Sequence, residues 1–244
     1  MKILITGASS GIGAEFARQY AAPDVELMLL ARREDKLKAL QKELSTKCKK
    51  ITLIIVDVSD FTRLQEKIKE IQTVDIVILN AGISLGHTVQ KIPKIAEFEQ
   101  LYKVNVLANH AILEVLLPQL QAQKSAKIVF ISSLSSLFTM PSAKVYASSK
   151  RALNAYADGI RYKYKKDNIK VINILPGFIK SELTEKNDFH MPFLLETQEG
   201  VRLMKKAIEK EKRVYAFPLR LYLIITLVGL LPHFLREKIV NSLS

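Results

Sequence analysis

The chain has 244 residues, 48% hydrophobic and 25% charged, which suits one large α/β domain and is short for two. Its single cysteine, Cys48, excludes an intrachain disulfide, and the opening MKILITGASSGIG holds too short an apolar run for a signal peptide, so the expected location is the cytoplasm. The formal charge of +13 would attract polyanions or an anionic membrane, but the lysines alternate with acidic and apolar residues and no nucleic-acid module is present, so no nucleic-acid partner is expected.

The first apolar run, KILIT, leads straight into TGASSGIG and then a helical stretch from about Ile12. Gly7, Gly11 and Gly13 permit a tight turn and close approach of backbone to a phosphate, while Ser9, Ser10 and Ile12 contribute the intervening loop and helix N-terminus. Between a first strand and a first helix this pattern predicts dinucleotide binding. The second run, VELMLLA, ends at Ala31 where an acidic residue would hold a ribose; Arg32 and Arg33 follow, with Arg32 the first choice for a 2′-phosphate. NADP(H) is therefore favoured over NAD(H).

The remaining strand candidates are ITLIIV, VDIVIL, AKIVFIS, IKVINIL and RVYAF, separated by helical stretches beginning near Glu34, Phe61, Lys94, Ala143 and Gln198. Seven strands this apolar on both faces predict a doubly wound parallel sheet with helices on both faces and a ligand beyond the carboxyl ends of its strands. Residues 1–218 read as one catalytic domain and 219–244 as an apolar helical tail. The run Leu221 to Leu231 is too short to span a bilayer, which needs about 20 residues, and suits a subunit interface, a pocket cover or peripheral membrane contact.

TGASSGIG, LNAG (Leu79 to Gly82), YKVNV (Tyr102 to Val106), ISS (Ile131 to Ser133), YASSK (Tyr146 to Lys150) and PGFIKS (Pro176 to Ser181) occur in this order. In this the chain resembles the short-chain dehydrogenase/reductase family over residues 1 to 182, and weakly to 217. The resemblance implies a Rossmann-type fold, hydride transfer between NAD(P) and a carbonyl or alcohol, and a homodimer or tetramer. It implies Tyr146 as general acid/base, Lys150 as its electrostatic partner and ribose ligand, Ser133 as the group orienting the substrate oxygen, and Asn105 as holder of a relay water. It further implies Asp57 with Val58 at the adenine, Asn80, Ala81 and Gly82 near the adenosine ribose, and Pro176, Gly177, Ile179 and Ser181 toward the nicotinamide amide. Ser10 stands where some NADP-dependent relatives carry a base, Ser181 where threonine is common, and Val145 where reductases of acyl-carrier-protein thioesters usually have asparagine, which weighs against that alternative.

A tyrosine needs such a lysine because a phenol of pKa about 10 is a poor base at neutral pH, and an ammonium about 4 Å away stabilises the phenolate. The same spacing recurs at Tyr162 and Lys166, and each tyrosine has a serine thirteen positions upstream, Ser133 and Ser149. Ser149 and Tyr162 fall within one predicted helix, Ala143 to Asp167, about 20 Å apart along its axis. Ser133 follows a strand, Tyr146 opens the next helix, and the chain can fold one onto the other, so only the first set makes a site. His87, His110, His190 and His233 are too dispersed for a metal set, and none is expected. MPFLL, Met191 to Leu195, suggests an apolar wall for the substrate. The remaining alternative is a non-catalytic dinucleotide-binding protein at a membrane, which would have little need of the Ser-Tyr-Lys set.

Overall fold

Side chains alternate across a strand, so a strand that is apolar throughout must be covered on both faces. In β1 (Lys2–Thr6), Ile3 and Ile5 enter one core and Leu4 the opposite one. The computed structural model describes residues 1–85, 92–123, 125–185 and 191–242; His87 and His190 lie outside them. The same alternation runs through β2 (Glu26–Ala31), β3 (Lys50–Ile55), β4 (Ile76–Leu79), β5 (Ala126–Ile131), β6 (Ile169–Pro176) and β7 (Val214–Phe217). All pair in parallel in the order β3-β2-β1-β4-β5-β6-β7, the doubly wound seven-stranded sheet expected. The order reverses between β1 and β4, which opens a crevice at their carboxyl ends.

The helices are α1 (Gly11–Tyr20), α2 (Glu34–Leu44), α3 (Phe61–Lys69), α4 (Ile95–Tyr102), α5 (Ala108–Gln121), α6 (Lys144–Lys163), α7 (Thr197–Glu209), α8 (Leu219–Leu230) and α9 (His233–Ser242). Phe16 of α1, Leu37 of α2 and Met204 of α7 cover one face of the sheet. Leu64 of α3, Leu116 of α5 and Leu153 of α6 cover the other. Each such side chain is fully buried or nearly so, worth about 1.5 to 3 kcal/mol. These two cores hold the carboxyl edge of the sheet rigid, where the site is assembled.

Two elements differ from the sequence reading. The helical stretch expected from Lys94 is divided by a π-helical turn, Lys103–Leu107, between α4 and α5. The helix expected to run to Asp167 ends at Lys163, so Lys166 lies beyond it. In the tail, α8 seats Leu221 against Leu134 and Leu175 in a small third cluster. A Cβ on Gly177 would lie 3.0 Å from both Leu221 Cδ2 and Pro218 Cδ, so this glycine lets the start of α8 approach β6. No helix among the described residues is long and apolar enough to cross a membrane.

Candidate active site

The loop after β1 is closed by backbone contacts that only glycine permits. Gly7 has φ +68°, and a Cβ there would come within 3.0 Å of the Ala81 Cα and the Asn80 Nδ2. A Cβ on Gly13 would lie 2.2 Å from the Gly7 carbonyl oxygen. Thr6 ties this loop to the end of β4: its Oγ1 accepts from the Asn80 and Ala81 amides, both at 2.9 Å, and Asn80 Nδ2 donates to the Thr6 carbonyl at 2.9 Å. The first turn of α1 contains no acidic residue, and its N-cap, Ser10, makes no capping bond, so its amide groups and the positive end of its dipole face the crevice. A pyrophosphate fits such a cradle.

At the adenosine end the two arginines diverge. Arg32, with a 64% exposed side chain, pairs with Asp57 Oδ2 at 3.1 Å. Burial would raise the Asp57 carboxyl, but the Ser59 amide and hydroxyl together with Arg32 outweigh it and hold it below its ordinary value. Arg33 turns to the glycine loop: Nε and Nη2 donate to Ser9 Oγ at 3.1 and 3.0 Å, Nη2 also to Ser10 Oγ at 2.5 Å, and Nη1 to Glu182 at 2.8 Å. Both guanidiniums are thus engaged in the free protein, that of Arg32 with Asp57 and that of Arg33 with the glycine loop and Glu182.

Ser133, Tyr146 and Lys150 come together at the carboxyl ends of β5 and the start of α6. Ser133 Oγ accepts from the Ser135 amide at 3.1 Å and the Ser135 hydroxyl at 2.9 Å, which leaves its own proton for the Tyr146 phenol. Burial pushes that phenol up to about 12, against the lowering hydrogen bond from Ser133. Burial also pulls Lys150 down to about 8. Its Nζ donates to the Ile131 carbonyl at 2.9 Å and stands 5.7 Å from the centre of the Tyr146 ring. In the free protein desolvation of the phenolate therefore outweighs the Ser133 hydrogen bond. Tyr162 is 73% exposed and takes no part.

Asn105 lies in the π-helical turn, fully buried, and both ends of its side-chain amide are hydrogen-bonded. Oδ1 accepts from the Ile83 amide at 2.8 Å, while Nδ2 donates to the Ile83 carbonyl at 3.0 Å and to Ser149 Oγ at 3.1 Å. Its side chain is therefore a brace for the segment after Gly82. Ser149, which the sequence offered only as part of the decoy set, donates in turn to the Tyr146 carbonyl at 2.7 Å. Sequence reasoning also passed over Thr6, Lys36 and Glu182; all three act through contacts distant along the chain. The nominated loop and strand-end residues line one cleft of about 1650 Å³, including Val58, Gly82, Pro176, Ile179 and Ser181, while Gly13 and Asn105 support it from behind.

The short chain dehydrogenase family model matches residues 1–191. An uncharacterized oxidoreductase of Myxococcus xanthus is 31% identical, over 94% of this chain and 92% of its own. The chain belongs to the short-chain dehydrogenase/reductase family. Among solved structures, a short-chain dehydrogenase from Sphingobium yanoikuyae in complex with NADPH is similar, with a TM-score of 0.82, 25% identity and coverage of 89% and 88% of the two chains. A short-chain dehydrogenase/reductase from Burkholderia phymatum in complex with NAD shares the fold, with a TM-score of 0.83, 19% identity and coverage of 93% and 92%. This chain is an NAD(P)-dependent oxidoreductase, and the acyl-carrier-protein and non-catalytic alternatives are not favoured.

The cleft of the dehydrogenase is also lined by apolar side chains from α8, α9 and the segments around Met140 and Phe193. Phe193 and Met140 line the same cleft as Leu221, Ile225 and Val228 from the inner row of α8 and Ile239 of α9. Residues Ile179 and Leu195 form a parallel bridge that anchors the far end of the loop between them. The outer row of α8, Leu219, Leu223, Leu227 and Leu230, is exposed. Among the described residues no group of His, Cys, Asp and Glu side chains could hold a metal ion.

Proposed function

We propose that this chain is an NADP(H)-dependent reductase of apolar carbonyl compounds, or dehydrogenase of the corresponding alcohols, acting through Ser133, Tyr146 and Lys150. The observation that carries the reading is their meeting at the mouth of the cleft, with the glycine loop on one side and an apolar wall on the other. Gly7, Gly11 and Ile12 would hold the pyrophosphate, Asp57 and Val58 the adenine, Asn80 and Lys150 the riboses, and Pro176 to Ser181 the nicotinamide amide. Arg33, with Ser9 and Ser10, would hold a 2′-phosphate; its guanidinium beside the glycine loop supports this choice.

When bound, the nicotinamide supplies hydride to the carbonyl carbon or takes it from the alcohol carbon. Tyr146 holds its proton at about 12 and gives it to the carbonyl oxygen as negative charge develops there. Ser133 donates to the same oxygen and fixes its position, its own acceptor side being filled by Ser135. Lys150, lowered by burial to about 8, would as its ammonium stabilise the phenolate left behind. Asn105 and Ser149 keep Tyr146 in register with the Gly82 segment. Apolar side chains from the 191–195 segment and α8 exclude water from the reacting carbon and select an uncharged substrate. A panel of apolar ketones and aldehydes, assayed by NADPH oxidation with the wild-type protein and with Tyr146→Phe, is the direct test. Turnover of at least one compound by the wild type and none by the variant is expected; equal rates refute the assignment.

A further inference from the structure

The glycine-loop end of the cleft already contains an anion, and the chain supplies it. Glu182 Oε2 accepts from Ser10 Oγ at 2.9 Å and from Arg33 Nη1 at 2.8 Å, while Oε1 accepts from Lys36 Nζ at 2.6 Å. Hydrogen bonds from Lys36, then Arg33 and Ser10, outweigh burial and hold the carboxyl down to about 2. Two cations and a hydroxyl converging on one carboxylate are the donor set that suits a phosphate monoester. The carboxylate oxygens thus stand where phosphate oxygens would be received.

Glu182 is held there by its own turn. Thr184 Oγ1 accepts from the Ser181 amide at 2.9 Å and donates to the Ile179 carbonyl at 2.8 Å, and the Thr184 and Glu185 amides both donate to the Ser181 carbonyl at 2.9 Å. A Cβ on Gly11 would lie 3.2 Å from Ser181 Cβ, so this turn rests directly on the start of α1. The turn also follows Ile179, at the nicotinamide end assigned above. One residue therefore links the adenosine phosphate position to the segment that frames the substrate.

We propose that Glu182 is a specificity-determining residue that competes with the 2′-phosphate of NADP(H) for Arg33, Lys36 and Ser10, and leaves this cradle when the phosphate enters. The inference rests on the NADP(H) reading above. A dinucleotide without the phosphate leaves the Glu182 contacts in place; one with it takes over the cations and frees the 181–185 turn. The presence of Glu182 narrows the preference for the phosphorylated cofactor, and its removal widens it.

The test titrates 2′-AMP and 5′-AMP by calorimetry into the wild type and Glu182→Gln, because neither probe reaches the nicotinamide end. Removing the competing charge is expected to tighten 2′-AMP about five- to tenfold and leave 5′-AMP unchanged, the scale of an exposed charge network. A 2′-AMP preference of the same size in both proteins overturns the role of Glu182 and leaves the NADP(H) reading standing. Absence of a 2′-AMP preference from both proteins overturns both. Hydrogen exchange on the wild type supplies a readout independent of the variant: saturating 2′-AMP should speed exchange of the Thr184 and Glu185 amides relative to 5′-AMP. Equal exchange with the two probes refutes the release.

Discussion

The two ends of the cleft are built by opposite means. At the cofactor end, Thr6 and Asn80 are joined by hydrogen bonds of 2.9 Å, and a Cβ added at Gly7 or Gly13 would meet neighbouring atoms at 3.0 Å or less. At the substrate end, α8 is apolar on every side yet buries only Leu221, and its outer row faces outward. A helix apolar all round is ordinarily enclosed. The first end can accept one ligand geometry; the second can change its lining without disturbing the sheet. On the function proposed above, the contrast would let one fold keep its cofactor fixed while its substrate end varies.

The sharpest break of that comparison is at the chemistry between the two ends. Tyr146→Phe should lower turnover by about 100- to 10,000-fold, the range of a lost general acid, while NADPH affinity stays within about twofold. Tyr162→Phe, at the second tyrosine of the same spacing, should leave both unchanged. Steady-state rates with cofactor fluorescence titration measure the two quantities separately, and matching losses in the two variants would overturn the site.

Rigidity at the cofactor end predicts the next largest effect. Gly13→Ala places its Cβ 2.2 Å from the Gly7 carbonyl, so the loop must shift, at a cost of about 2 to 3 kcal/mol in urea unfolding. Leu221→Ala, at the other end, should raise KM for apolar substrates several-fold and leave NADPH binding intact. Should Leu221→Ala weaken NADPH as much as Gly13→Ala, the two ends are not separable. Replacing Leu223 and Leu227 together by glutamate tests what covers the outer row. It should reduce either the mass of the protein in solution or its sedimentation with anionic vesicles; no change in either removes both the oligomer and the membrane expectation from this surface.

These differences also mark what the sequence could disclose. The glycine loop was legible because its constraint is local: three glycines in seven positions report a backbone that tolerates no side chain. Strand alternation was legible for the same reason. The contacts that separate Arg33 from Arg32 were not, because they include Glu182, 149 positions beyond Arg33 along the chain. Likewise the brace from Asn105 to Ser149 spans 44 positions, and Ser149 carried no sequence signal apart from its place inside YASSK. The tail showed its apolar character but not its division into an inner row on the cleft and an outer row on the surface, since that division is set by how α8 rests on Gly177 and Leu175.

The smallest expected effect probes the same long-range contact through pH. Glu182 titrates at about 2, below its ordinary 4.5, so the unfolded chain binds this proton more tightly than the folded one. Its contribution to stability is then complete above about pH 4.5 and falls away as the pH drops toward 2. The side chain is 45% exposed, and solvent screening limits the contribution to about 1 kcal/mol or less. Urea unfolding of the wild type and Glu182→Gln should therefore show a small gap at pH 7 that narrows by pH 2.5 and closes only below about pH 2. Saturating 2′-AMP at pH 7 should narrow the same gap by another route, because a phosphate seated on Arg33 and Lys36 leaves Glu182 of the wild type without cations to hold. A gap that persists unchanged under both treatments would mean that Glu182 stabilises the fold through packing, with no part in anion recognition.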